Sequence, residues 1–107
     1  MLYRFKSRAS GDVVMLGPNG KQLLEILGKD PAGPGIILPE QMNAAIQALR
    51  DAVFEEEAEH QREVQEALAR GDDTPDPNRI TLRVRVTPFI ELLQHSMREN
   101  AEVVWGV

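Results

Sequence analysis

Hydrophobic and polar positions alternate from the first residues of the chain. Tyr3 and Phe5 are interleaved with Arg4 and Lys6 over Leu2 to Lys6, the period-2 pattern of a half-buried strand. SRASGD then reads as a turn or a helix start, with Ser10 as a candidate N-cap, ahead of the apolar group Val13, Val14, Met15 and Leu16, which is too short to assign by itself. Gly17, Pro18, Asn19 and Gly20 form a strong turn signal, because Pro presets φ while Asn and Gly tolerate positive φ. Lys21 to Leu27 sets Leu23, Leu24 and Leu27 at helical spacing and stops at Gly28, a natural C-terminal cap, so a short helix is expected. KDPAGPG cannot be regular structure. Ile36, Ile37 and Leu38 after it suit a short buried strand or an extended connector.

A long helical pattern opens near Pro39, which is tolerated in a first turn because the donor it lacks would be unsatisfied there anyway, with Glu40 beside it. Met42, Ile46, Leu49 and Val53 make a core-facing stripe among alanines, and the pattern runs on through Phe54, Val64 and Leu68 to Gly71. Such a helix has about 31 residues and spans roughly 46 Å at 1.5 Å per residue. A compact domain of this size is only about 34 Å across. The second half therefore protrudes, folds back as a separate helix or packs on another subunit. Residues 71–78 hold two prolines and three aspartates and read as a solvated loop.

The segment from Ile80 supports two readings. Ile80, Leu82, Val84 and Val86 alternate with Thr81, Arg83 and Arg85 as in a strand, with Thr87 and Pro88 opening a later helix. Alternatively Leu82, Val86, Phe89 or Ile90, Leu93 and Met97 form one helical stripe kinked at Pro88. Phe89 to Arg98 is helical in both. Val103, Val104 and Trp105 are β-prone, and a last strand pairing with the first would hold both termini. The expected class is α+β: a small sheet that includes paired N- and C-terminal strands, packed by about three helices, one long and acidic, in a single domain over 1–107.

Composition narrows the chemistry. The 107 residues include no cysteine, which removes disulfides, thiolate metal sites and thiol nucleophiles and fits a reducing compartment. No apolar run is long enough to span a membrane, and MLYRFKS lacks the apolar core of a secretory signal, so a cytoplasmic location is expected. The net charge of −5 conceals a division: Asp51 to Asp76 carry ten acids and two bases, while the rest of the chain is net positive, chiefly at Arg4, Lys6 and Arg8 and at Arg79, Arg83 and Arg85. The acidic stretch argues against duplex DNA.

MLYRFKS, MLGPNG with LLEILGK, QMNAAIQAL and the terminal VVWGV together resemble a small bacterial family, the domain of unknown function numbered 1840. The resemblance spans nearly the whole chain in order. Leu82, Arg85, Pro88, Glu91 and Leu93 fit it as well, which tips residues 80–87 toward the longer helix. It implies one cytoplasmic domain and says nothing of catalysis.

Candidate chemistry is sparse. GPNGK lacks the spacing and the Ser or Thr of a Walker loop. Gly17 to Gly20 also matches the GXXG loop that joins two helices in KH domains and clamps single-stranded backbone, with Gly17, Asn19, Gly20, Lys21 and Lys29 as the contacts; the plainer reading is a turn. Arg83 and Arg85 would grip an anion from one strand face, or point apart on a helix. Glu57 and His60 form an ExxH pair, half of a helix-bundle metal site, although a charge run of this kind is ordinarily a solvated helix face. Ser96 beside His95 makes no nucleophile and base pair, since neighbouring helical side chains diverge by about 100°. No catalytic residue or cofactor is expected. The residues favour a noncatalytic module that acts by protein contact and self-associates, through Val53, Val64 and Leu68; the alternative is a KH-like or anion-binding module for single-stranded RNA or a phosphorylated ligand.

Overall fold

The computed structural model describes residues 2–73 and 81–106. Strand β1 (Leu2–Ser7) turns through Arg8 and Ala9 into β2 (Ser10–Leu16), and the two form an antiparallel hairpin in which Phe5 faces Val13 and Tyr3 faces Met15. Helix α1 (Gly17–Ile26) follows directly. β3 (Gly35–Ile37) leads through a 3-10 turn at Pro39–Gln41 into α2 (Met42–Arg70), and α3 (Leu82–Arg98) leads to β4 (Val103–Trp105). The sheet is antiparallel with order β2-β1-β4-β3. β4 lies between β1 and β3, so the two terminal strands pair at Lys6 and Val104, as the sequence indicates. The α+β class, the terminal strand pair and the three helices, one of them long, agree with the sequence reading.

Three local expectations change. Ser10, Gly11 and Asp12 start no helix; they open β2, and the turn falls on Arg8 and Ala9, where Ala9 N–H donates to Ser7 Oγ at 3.2 Å. Gly17–Gly20 is not a free turn but the first turn of α1, with Pro18 at the position where its missing donor costs nothing. Leu82 to Thr87 are helical, and the strand-like alternation is resolved by burial: Leu82 and Val86 are inside, whereas Val84 is 62% exposed. A strand would have put all three on one face. Of the expected loop at 71–78, residues 74–78 lie outside the described residues, as do Arg79 and Ile80.

The helix ends show why the chain breaks where it does. At the end of α1, Lys29 N–H donates to Leu24 O at 2.8 Å and Gly28 N–H to Glu25 O at 3.0 Å, a paired closure that needs Gly28 at φ +73°. α2 ends in the same way at Gly71. α3 begins beneath two side chains: Thr81 Oγ1 accepts from Val84 N–H at 3.4 Å, and the Glu56 carboxylate on α2 accepts from Leu82 N–H at 3.0 Å. That second bond sets the start of α3 alongside the middle of α2.

The core fills the space between one face of the sheet and the helices. Phe5, Phe89 and Trp105 meet at its centre, with ring centroids 4.8 Å apart for Phe5 and Phe89 and 5.7 Å for Phe5 and Trp105. Leu23 and Leu24 of α1, Met42, Ile46 and Leu49 of α2, and Leu92 and Leu93 of α3 close around them. Ser96, fully buried on α3, shares a 2.7 Å hydrogen bond with Ser7 Oγ, so the one buried polar side chain of α3 is satisfied by the end of β1. The indole edge of Trp105 rests on Gly35, where an added Cβ would overlap Cζ2 and Cε2.

Two stability outcomes follow from this packing. Gly35→Ala should cost about 1–3 kcal/mol in chemical denaturation, because the added methyl would overlap the indole, whereas Gly11→Ala, with no atom close to the added methyl, should cost far less. Leu82→Ala should cost about 2–5 kcal/mol while Val84→Ala stays within about 0.5 kcal/mol. Equal losses would restore the strand reading of this segment.

Candidate functional site

The GXXG segment is placed where it serves the fold. Gly20 is buried, and a Cβ on it would overlap the ring of Tyr3, which packs across the first turn of α1. Gly20→Asp would therefore disturb packing and is no clean probe of ligand binding. Gly17 and Asn19 lie in the same turn, preceded by β2 and not by a helix, so the two-helix frame of a KH loop is absent. Lys21 approaches Glu25 one turn on, at 3.9 Å. Lys29 lies beyond the other end of α1, beside Gln41 and Ala45. The two lysines do not converge.

The arginines separate as a helix requires. Arg83 donates to both oxygens of Glu57, at 2.6 and 3.2 Å, and Arg85 reaches the other way to Gln22 of α1 at 3.4 Å. They form no anion grip between them. The basic start of the chain lies elsewhere again: Arg4 faces Asp12 across the hairpin at 3.6 Å, on the side of the sheet away from the helices. Arg79 lies outside the described residues.

Glu57 is committed to that exposed pair with Arg83, whose hydrogen bonds and charge hold its carboxyl below the usual carboxylate range. The same pair raises Arg83. His60, one turn further along α2, has its own interaction, and the described residues contain no cluster of three or more candidate metal ligands. The acidic run thus includes two carboxylates with structural partners, Glu56 at the start of α3 and Glu57 at Arg83.

A groove lies between α2 and α3, which run antiparallel: residues 50–57 of α2 face residues 94–83 of α3. It is open, with a volume of about 440 Å³, floored by Val53, Val86 and Ile90 and edged by Arg50 and Arg83 together with Glu91 and Gln94. Phe54 stands at its lip, 73% exposed. Sequence periodicity assigned Phe54 to the continuing apolar pattern of the helix without separating it from Val53. Val53 belongs to the core, and so of Val53, Val64 and Leu68 only Leu68 is an exposed contact; Val64 is half-buried.

Beyond Glu57, α2 continues for thirteen residues past the start of α3, about 20 Å. The radius of gyration is 15.9 Å and the long axis 51 Å, against about 13 Å for the radius of a compact chain of this length. Of the three arrangements the sequence leaves open, folding back as a separate helix is not the one adopted: α2 is a single helix that extends past the start of α3. No helix among the described residues is long and apolar enough to cross a membrane.

Neither a curated protein nor a solved structure matches the chain. A family model does: the one described as "Domain of unknown function (DUF1840)" matches residues 1–105 of the 107, and the chain belongs to that family.

Proposed function

We propose that the chain is a noncatalytic, single-domain protein-interaction module of the cytoplasm whose working surface is the α2–α3 groove together with the projecting half of α2. One observation carries this reading: a large aromatic, Phe54, stands exposed at the lip of a groove with an apolar floor. Two antiparallel helices with an open seam accept a third helix, which supplies apolar anchors at helical spacing. Arg83 on the rim already holds Glu57, which leaves Arg50 and Glu91 as the charges open to a partner, one of each sign. Exposed aromatics and arginines are the residues that dominate binding energy at protein interfaces.

The alternative, single-stranded RNA or a phosphorylated ligand at Gly17–Gly20, would need converging cations. Lys21 and Lys29 lie toward opposite ends of α1, and Arg83 and Arg85 diverge.

The test is site-specific photocrosslinking in the protein's own cells. A benzophenone side chain in place of Phe54 should form protein adducts, while the same group in place of Leu16, exposed on the far face of the sheet, should not. Adducts only at position 16 would move the surface to the sheet, and their absence at both positions would overturn the interaction reading.

A further inference from the structure

The acids of α2 are not spread evenly around it. At 3.6 residues per turn, Phe54, Gln61 and Leu68 recur every seven residues and fall along one line of the helix, with Ala58 and Gln65 beside them. All five are exposed, Leu68 by 60%. Glu55, Glu59, Glu63 and Glu66 point more than about 100° away from that line. The one acid close to it is Glu57, whose charge Arg83 offsets. An acidic helix thus carries an uncharged, partly apolar stripe along its projecting half, and the stripe runs at its N-terminal end into the α2–α3 groove.

The stripe complements itself when reversed. With two copies antiparallel about a two-fold axis at Gln61, Phe54 of each faces Leu68 of the other, Ala58 faces Val64, and Glu57 faces Gln65. Arg50 then faces Asp72. Arg50 has no ion pair with any described residue; just past the end of α2, Asp73 lies exposed beside Asp72, which already accepts from Arg70 at 2.8 Å. Arg50 of each groove therefore comes beside Asp72 and Asp73 at the end of the other copy's helix, and the two large apolar side chains that the fold leaves outside on α2, Phe54 and Leu68, cover each other.

From this we infer that the occupant of the groove is a second copy of this chain: the projecting end of α2 from each copy lies antiparallel in the groove of the other, in a closed isologous dimer centred on Gln61. The inference rests on the interaction reading above and names its partner. A two-fold interface of this kind closes on itself, so the assembly stops at two. A parallel arrangement would set Phe54 against Phe54 and Arg50 against Arg50, like charge against like.

The absence of native cysteine permits a direct geometric test with the full chain. Sedimentation equilibrium should give twice the 12.0 kDa chain mass. Phe54→Asp and Leu68→Asp, both at exposed positions, should each weaken the dimer at least about tenfold with an unchanged far-ultraviolet circular dichroism spectrum. Gln61→Cys should oxidise to a disulfide dimer on its own. Phe54→Cys should not, since its two copies would stand about 21 Å apart, but it should pair with Leu68→Cys when the two proteins are mixed. A monomer at hundreds of micromolar, a dimer that Leu68→Asp leaves intact, or self-pairing of Phe54→Cys would each overturn the inference. A monomer that still gives protein adducts from position 54 would reject the second copy and keep the groove as a docking surface for another protein; a monomer without adducts would reject both.

Discussion

The contact on which the rest of this structure depends is the meeting of Phe5, Phe89 and Trp105. Each ring comes from a different element, and two of the elements are the terminal strands. β4 is only three residues long and could not hold its place by backbone pairing alone, since it pairs with β3 over three residues and with β1 at Lys6 and Val104. Burial of Trp105 against Phe5 gives it the missing attachment, and Gly35 on β3 leaves room for the indole. Large aromatics bury 150–250 Å² each, roughly 4–6 kcal/mol of apolar transfer at 25 cal/mol/Å². α3 is docked by the same cluster through Phe89, and its direction then determines where its first turn meets α2. Glu56 accepting from Leu82 N–H is the outcome of that placement.

From that point α2 has two different lives. Its first half contributes Met42, Ile46, Leu49 and Val53 to the core, so that packing holds it. Its second half extends past the start of α3, where Val64 is half-buried, Ala67 buried and Leu68 exposed. Glu55, Glu59 and Glu63 stand at successive i, i+4 positions, where like charges destabilise a helix by a few tenths of a kcal/mol per pair. A helix of about thirteen residues would be marginal by itself. This one is propagated from a segment already nucleated and is closed by the paired hydrogen bonds at Gly71.

The legible parts of the sequence were those where pattern and packing coincide. The alternation around Tyr3 and Phe5, the stripe from Met42 to Val53 and the stop at Gly28 each have one structural solution. β2 was hidden because Val13 to Leu16 are all apolar. Val14 and Leu16 lie on the outer face of the sheet, so the alternation expected of a half-buried strand is erased, and the turn falls on Arg8 and Ala9, which carry no turn signature. Val84 misled in the opposite direction: an exposed valine between Leu82 and Val86 imitates period 2 on a helix. The candidate site was hardest to read. Arg83 and Arg85 looked like a pair until the helix turned one toward Glu57 and the other toward Gln22, and Phe54 was indistinguishable from the core residue beside it.

The distribution of acids around α2 gives its projecting half a direction. Charges that only solubilised the helix could lie anywhere on its exposed surface. Here four glutamates gather on the side opposite Phe54 and Leu68, and the remaining two acids of the distal turns, Glu56 and Glu57, have partners on α3. An apolar partner helix approaching the glutamate side would have to desolvate unpaired carboxylates, which costs several times what its own apolar contacts return. On the Phe54 side it meets two hydrophobic anchors with amides between them. The like-charge ladder, a local cost to the helix, thereby narrows docking to one stripe, and that stripe opens onto the groove where Arg50 stands.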